Sequence, residues 1–273
     1  MFWCVHRVRQ AGPFILKNPE SPTLASYSIV IPAFNEGERI KRTIEKVLAF
    51  VAAQHRNAEI LIVNDGSTDD TAQIVQSYAA ENRALRLIQN PGNRGKGYSV
   101  RNGMLHSNGE IVLFSDADLS SPIDESLKLF AAIESGADIA IGSRWVRTEL
   151  QIQPQPLYRR IYGRIFNLAL RLVLGLHFRD TQCGFKAFTR KAAYTLFPLQ
   201  HVERWGFDPE ILFLARRFGF RTEEIGVRWS HRSGTRINPL RDGLHMAADL
   251  LKIRLYSMTG KYDAKEATVP ATL

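Results

Sequence analysis

A chain of 273 residues, 45% hydrophobic and 23% charged, can build one large α/β domain or two small ones and is too apolar to be disordered. Its net charge of +9 attracts polyanions, whether nucleic acid, anionic lipid or phosphorylated substrates. Two cysteines, Cys4 and Cys183, exclude a disulfide framework and a metal finger and point to a reducing, cytoplasmic setting.

Residues 1–26 are broken by charge and proline, unlike a signal peptide, and read as a loose arm. "YSIVIPAFNE", from Tyr27, is a β-branched strand closed by proline. "EGERIKRTIEKVLAFVAAQ" sets Ile40, Ile44, Val47, Leu48 and Val51 at helical spacing. "AEILIVNDGSTDD" reads as a buried strand and polar loop, and "TAQIVQSYAAE" as a helix. "LRLIQNPGNRGKG" reads as a strand and glycine-rich loop, and "YSVRNGMLHS" as a helix. "GEIVLFSDADLSSPIDE" is an apolar strand that ends on two aspartates, with a helix following through Ile133; "ADIAIGSRW" is a further strand. Near-continuous apolar strands alternating with helices imply a mostly parallel central sheet flanked by helices. Such sheets bind ligands at the carboxyl ends of their strands. Asn35, Glu36, Asp65, Asp116, Asp118 and Arg144 all fall there.

Beyond Arg147 the character changes. "LYRRIYGRIFNLALRLVLGLHF", Leu157 to Phe178, is a one-sided apolar helix interrupted by Arg160, Arg164 and Arg171. The interruptions rule out a membrane span. They leave an interfacial helix with arginines reaching headgroups, or a core helix with one wet side. "DTQCGFKAFTRKAAYTLFP" reads as a loop and a helix, "GFDPEILFLARRFG" as a helix, and "RTEEIGVRWSHRSGTR" as a strand ending in a basic loop. "LRDGLHMAADLLKIRLYSM" is an amphipathic helix offering a second membrane contact, and the tail reads as disordered. The expected units are an arm (1–26), one α/β domain (27–238), a C-terminal amphipathic helix (239–260) and a tail (261–273). No recognition helix, zinc site or aromatic RNA-binding strand is present, so nucleic acid is not an expected partner.

Asp116 and Asp118 repel one another, and burial raises the pKa of at least one. Mg²⁺ or Mn²⁺ between them and a substrate phosphate resolves the conflict. The competing reading is a helix start, with Ser120 or Ser121 capping before Pro122; it leaves Asp116 unexplained. "NDGSTDDT" alone is a turn and a cap. "GNRGKG", Gly92 to Gly97, either brings backbone N–H groups, Arg94 and Lys96 to a phosphate or is a flexible basic loop.

Six strings, "IVIPAFNE", "VNDGSTDDT", "NRGKGYSVRNGM", "DADLSSP", "GSR" and "DTQCGFKAF", in this order, resemble family 2 of the nucleotide-sugar glycosyltransferases. Within it they look most like the polyprenyl-phosphate sugar transferases of the dolichyl-phosphate glucosyl and mannosyl types. The resemblance spans roughly residues 27–236. It implies a GT-A, Rossmann-like fold. It implies that Pro32, Phe34 and Glu36 hold the nucleoside, Asp65 the base, and Lys96, with Asp116, Ala117, Asp118 and Arg144, the rest of the donor. Asp118 is the implied metal ligand, and Asp116 lies against ribose or metal. Ser120 stands where mannosyl relatives often carry a glutamine ligand. Asp180 and Gln182 are implied to lie beside the reacting sugar, Asp180 orienting a hydroxyl, acting as a base or capping a helix. Asp208 is a second candidate base, or a cap before Pro209. Arg232 and Arg236 are candidates for the acceptor phosphate. Arg159, Arg160, Arg164 and Arg228 either share that task or form a solvated, lipid-facing surface. Cys183 reads as a small buried residue.

The implied reaction is an inverting, metal-dependent transfer of glucose from UDP-glucose to dolichyl or polyprenyl phosphate. Its acceptor oxygen is already ionised and needs no base. Cations gather the two anionic substrates and stabilise the leaving diphosphate. The alternatives are GDP-mannose or another donor, or a sugar or glycolipid hydroxyl as acceptor, which would need a carboxylate base. Some relatives carry transmembrane segments that this sequence does not show. The expected attachment is therefore peripheral, on the cytoplasmic face of a membrane or through a membrane partner.

Overall fold

Tyr27–Ala33 forms the first strand, β1, and its alternating side chains divide the interior: Ile29 and Ile31 enter one core, Val30 the other. This computed structural model describes residues 26–54, 56–153, 157–230 and 239–263. Then come α1 (Gly37–Ala53), β2 (Ala58–Asn64), α2 (Thr71–Glu81), β3 (Leu85–Gln89), α3 (Lys96–Leu105), β4 (Ile111–Ser115), α4 (Ser126–Glu134) and β5 (Ile139–Ser143). The C-terminal part adds β6 (Gln151–Gln153), α5 (Leu157–Leu174), β7 (Phe185–Thr189), α6 (Arg190–Leu196), α7 (Phe207–Arg217), β8 (Thr222–Gly226), β9 (Trp229–Ser230) and α8 (Pro239–Met258).

Among the described residues seven strands form one sheet in the order β3-β2-β1-β4-β7-β5-β8, and β6 pairs with β9 apart from it. Helix α1 buries Ile40, Ile44, Val47 and Phe50 on one face of the sheet. Residues of α3, α6 and α7 cover the other face. Every strand pairing in the large sheet is parallel except those of β7, which runs antiparallel between β4 and β5.

Strand β7 departs from the sequence expectation, which placed a loop and helix there. Five residues with a lysine at the second position carry too weak a periodicity to read as a strand. Pairing on both sides makes it one. Helix α3 begins at Lys96, two residues before the expected start at Tyr98, so Lys96 sits on the first helical turn. Helix α5 stops at Leu174 because Gly175, at φ +66°, turns the chain into the left-handed region that ends helices.

The final helix belongs to the main body: Leu250, Ile253 and, beyond it, Tyr262 are buried in the second core. Lys261–Asp263 therefore join the fold rather than opening a disordered tail. No helix among the described residues is long and apolar enough to cross a membrane.

Candidate active site

The parallel strands bring their carboxyl ends to one edge, and antiparallel β7 begins at that edge. There the loop after β1 is laced to the loop after β2. Ser67 Oγ accepts from the Asn35 N–H (2.9 Å), and Asn35 Oδ1 accepts from the Thr68 N–H (2.7 Å). Asp69 accepts from the N–H groups of Gly37 and Thr71. Burial works against its charge, but a bond from the Thr71 hydroxyl (2.5 Å), with these two N–H groups, holds its carboxyl below the usual range. Asn35 adopts a left-handed φ of +52°, a conformation that asparagine tolerates better than most residues. Pro32, Phe34 and Glu36 are half-buried around this loop.

Asp65 is buried and accepts from Asn90 Nδ2 (2.8 Å), the Arg94 N–H (3.0 Å) and the Gly95 N–H (2.8 Å). It thus clasps the glycine loop. Two bonds fill Oδ1, while Oδ2 retains a lone pair.

After β4 the chain turns sharply. The Leu119 N–H donates to the Asp116 carbonyl (3.1 Å), and the Ser120 N–H donates to Asp118 Oδ1 (2.8 Å). Leu119 is held at φ +46°, a strained value for a bulky residue. Among the described residues no side chain caps the helical turn beginning at Ile123, so the capping reading of Ser120 and Ser121 is not realised. Ala117 packs its side chain into the core and accepts from Thr43 Oγ1 through its carbonyl (2.6 Å). The Asp116 N–H donates to the Gly184 carbonyl (3.0 Å), and a Cβ on Gly184 would lie 2.0 Å from the Asp116 carboxylate. Only glycine lets the two segments meet so closely.

Lys96 Nζ stands 2.6 Å from Asp116 Oδ1, between the rings of Phe114 (5.3 Å) and Trp205 (5.2 Å). Burial pushes the Asp116 carboxyl above its ordinary range, against the pull of Lys96, and the charges of Asp118 and Asp208 add to the push. For Lys96 burial opposes the charge, but Asp116, ahead of Asp208 and Asp118, holds the ammonium above its usual value. Asp116, paired with Lys96, and Asp118 are the oxygen donors offered here. Among the described residues no group of three acidic, histidine or cysteine side chains is placed to hold a metal, so a hard divalent cation would take substrate phosphate and water as its further ligands.

Arg144 and Asp180 form a two-pronged ion pair. Nε and Nη2 donate to the two carboxylate oxygens at 2.7 and 2.8 Å, and the Arg144 backbone N–H adds a third bond at 2.9 Å. Asp180 is 2% exposed. Burial alone would raise its carboxyl, but Arg144 holds it below the ordinary range. A carboxylate so held is a poor proton acceptor, and the expectation of Asp180 as a base does not fit this arrangement. Its role as a helix cap fails too, since strand β7 follows.

Asp208 lies inside the first turn of α7 rather than capping it, and Lys186 Nζ stands 2.5 Å from it. Lys186 also donates to the Cys183 carbonyl (2.6 Å). Both members are almost fully buried, so Asp208 is likewise neutralised. Sequence reasoning missed Lys186. The signal was a lysine between the large apolar residues of "GFKAF". It also missed Trp205.

Burial pushes the Cys183 thiol up to about 12, with Asp180 adding to the shift, in keeping with an inert buried residue. Arg228 belongs elsewhere: it pairs with Asp124 and Glu125, which anchors the link between β8 and β9 to the helical turn before α4. The Ser230 N–H donates to the Ser120 carbonyl (2.9 Å), so β9 is tied to the aspartate turn. Arg232 and Arg236 lie outside the described residues, as do the side chains of Arg159, Arg160 and Arg164.

Beside the Arg144–Asp180 pair opens a cavity of about 370 Å³, lined by Trp145, Thr148, Leu168, Arg171 and Arg179 among others. Trp145 follows Arg144, and Arg179 precedes Asp180, so the pair's own chain segments form part of its wall.

A sequence model of glycosyl transferase family 2 matches residues 28–197. A dolichyl-phosphate β-glucosyltransferase of Trichomonas vaginalis is 37% identical over 257 residues, covering 90% of this chain and 76% of its own length. The Homo sapiens enzyme of the same name is 34% identical over 258 residues, covering 89% and 79%. Among solved structures, glucosyl-3-phosphoglycerate synthase from Mycobacterium tuberculosis, in complex with Mn²⁺, UDP and glucosyl-3-phosphoglycerate, matches with a TM-score of 0.64 at 21% identity. That match covers 86% of this chain and 80% of the other. The shared architecture is the expected GT-A fold.

Proposed function

This chain belongs to glycosyl transferase family 2 and is a glycosyltransferase, and on that premise we propose that it transfers glucose from UDP-glucose to dolichyl or another polyprenyl phosphate, with inversion. The observation that carries the donor half is Asp116 and Asp118 beside Lys96, at the edge where a GT-A sheet presents its loops. The names of the relatives carry the sugar and the lipid.

Asp116 and Asp118, with Ser120 as a weaker third donor, would hold Mg²⁺ or Mn²⁺. When bound, such an ion supplies positive charge against a departing diphosphate. Lys96 adds a fixed charge on the same side, and Arg144 is steered by Asp180 toward the donor. Pro32, Phe34 and Glu36 wall the nucleoside, and the remaining lone pair of Asp65 Oδ2 suits the ring N–H of uracil. Thr181 Oγ1 and Gln182 Nε2 are buried without a hydrogen-bond partner among the described residues. Hydroxyls of the transferred sugar would satisfy them.

Two observations favour a phosphate over a hydroxyl acceptor. Asp180 and Asp208, the candidate bases, are both locked to cations. The cavity beside the Arg144–Asp180 pair carries two arginines and an apolar wall, which suits a phosphate on an isoprenoid. Arg232, two residues along the chain from Ser230, with Arg236 and Arg160 would complete the acceptor site.

The test is a panel of UDP- and GDP-sugars with Mn²⁺ and a vesicle-borne polyprenyl phosphate, with lipid-linked product followed. UDP-glucose is expected to give product at least about tenfold faster than any other donor. No product with any donor sinks the reading, and equal use of GDP-mannose sinks the choice of sugar.

Attachment to the cytoplasmic face of a membrane completes the reading. Leu168 and Leu172 on α5, and Leu251, Leu255 and Met258 on the adjoining α8, are exposed. Each set recurs at helical spacing as an apolar stripe. The double variant Leu172→Ser, Leu255→Ser is expected to weaken sedimentation with anionic lipid vesicles by about tenfold or more. Unchanged sedimentation rules these stripes out as the contact.

A further inference from the structure

The first turn of α3, which carries Lys96, rests on main chain from a distant part of the sequence. The Tyr98 N–H donates to the Glu203 carbonyl (2.9 Å), and Gln200 Nε2 donates to the carbonyls of Gly97 (2.9 Å) and Val202 (2.8 Å). Gly97 has no room for a side chain: a Cβ would lie 2.7 Å from the Val202 carbonyl oxygen. The same segment continues into Trp205, whose ring covers the Lys96 ammonium. The position of that ammonium therefore depends on where residues 200–205 lie.

One buried carboxylate fixes them. Glu210 of α7, fully buried, accepts from the N–H groups of His201 (2.9 Å) and Val202 (2.8 Å). Its third bond comes from the Tyr262 hydroxyl (2.6 Å), in the turn after α8. Tyr262 is itself fully buried, and its ring packs near those of His201 (5.6 Å) and Phe213 (6.3 Å). Helix α8 approaches the same place a second way, since its Asp249 leaves no room for a Cβ on Gly206. Burying a carboxylate and a phenol away from water is costly unless their bonds are complete, so this contact has one well-defined geometry.

We infer that Tyr262, acting through Glu210 and the 200–205 segment, is a positioning residue for Lys96 and so tunes how tightly the site holds the donor diphosphate. The inference rests on the donor reading given above. Neither residue touches substrate in this scheme. The turn after α8 sets the seat of α3, and the seat sets the ammonium against Asp116.

The test is a double-mutant cycle read by UDP affinity in the presence of Mn²⁺, using Tyr262→Phe and Lys96→Ala singly and together. Tyr262→Phe is expected to weaken UDP binding about fivefold in the otherwise unaltered chain and by less than about 1.5-fold when Lys96 is already alanine. The change in melting temperature is expected to be the same in both backgrounds. A purely structural role would weaken UDP binding by the same factor in both, and that result overturns the inference. So does an unchanged affinity in Tyr262→Phe. Should Tyr262→Phe fail to fold, Glu210→Gln, which keeps the shape and an acceptor oxygen, is run through the same cycle with the same criterion. Failure of the unaltered chain to bind UDP at all would instead sink the donor reading beneath it.

Discussion

Asp118→Ala is expected to lower Mn²⁺-supported transfer by at least about 10²-fold while the protein still folds, the scale seen when one electrostatic partner of a transition-state charge is removed. The separation of the two effects follows from what the side chain touches. Among the described residues Asp118 makes one hydrogen bond, accepting from the Ser120 N–H, and it is only partly buried. Losing that bond costs about 1 kcal/mol of stability. It also frees the turn that holds Leu119 at a left-handed φ, so a small loss of order there is expected. Calorimetric titration of UDP at several Mn²⁺ concentrations, beside a thermal melt, measures both effects. Mn²⁺-dependent transfer unchanged by the substitution would remove Asp118 from the ligand set. The pH dependence has a defined sign. A proton competes with the cation for Asp116, whose carboxyl is pushed above its usual 3.8 by burial and neighbouring charge. Metal-supported donor binding should therefore begin to fail, on acidification, at a higher pH than an ordinary carboxylate would dictate.

Asp180→Ala is expected to destabilise the fold by about 3 kcal/mol, the cost of leaving a largely buried arginine without its counter-charge. Arg144 loses both side-chain bonds and one backbone bond at once. Asp180→Asn keeps the shape and part of the bonding, and a smaller loss is expected. The effect carries its own pH signature. Arg144 holds the folded-state pKa of Asp180 below that of the unfolded chain. The stabilisation is therefore fully present above the unfolded value and is lost as pH falls through the lowered folded one. Urea unfolding of both proteins at neutral pH should show the full difference, and the gap should narrow below about pH 4. A loss under about 1 kcal/mol at neutral pH would show that the pair contributes no more than a surface contact.

Much of this architecture could be read before any coordinates. Ile40, Ile44 and Val47 face inward as their spacing required, and α2 spans the expected residues. Asp65, Asp116, Asp118 and Arg144 meet at one edge because consecutive parallel strands must all end on the same side of a sheet. Strand β7 escaped the same reading. A five-residue segment with a buried lysine has little local signature, and its hydrogen-bond partners, β4 and β5, are remote in sequence.

Residue type and order therefore determined the sheet, the edge and the acidic pair, since each depends on local periodicity or on strand direction. The tertiary structure alone decided which charges are spent. Asp180 is bound to Arg144, Asp208 to Lys186 and Asp65 to the glycine loop, while Asp118 accepts a single bond among the described residues. The reason is physical: a carboxylate becomes base, ligand or brace according to the cations and N–H groups within about 3 Å of it. For Asp65, Asp180 and Asp208 those groups come from residues 22 to 36 positions away along the chain.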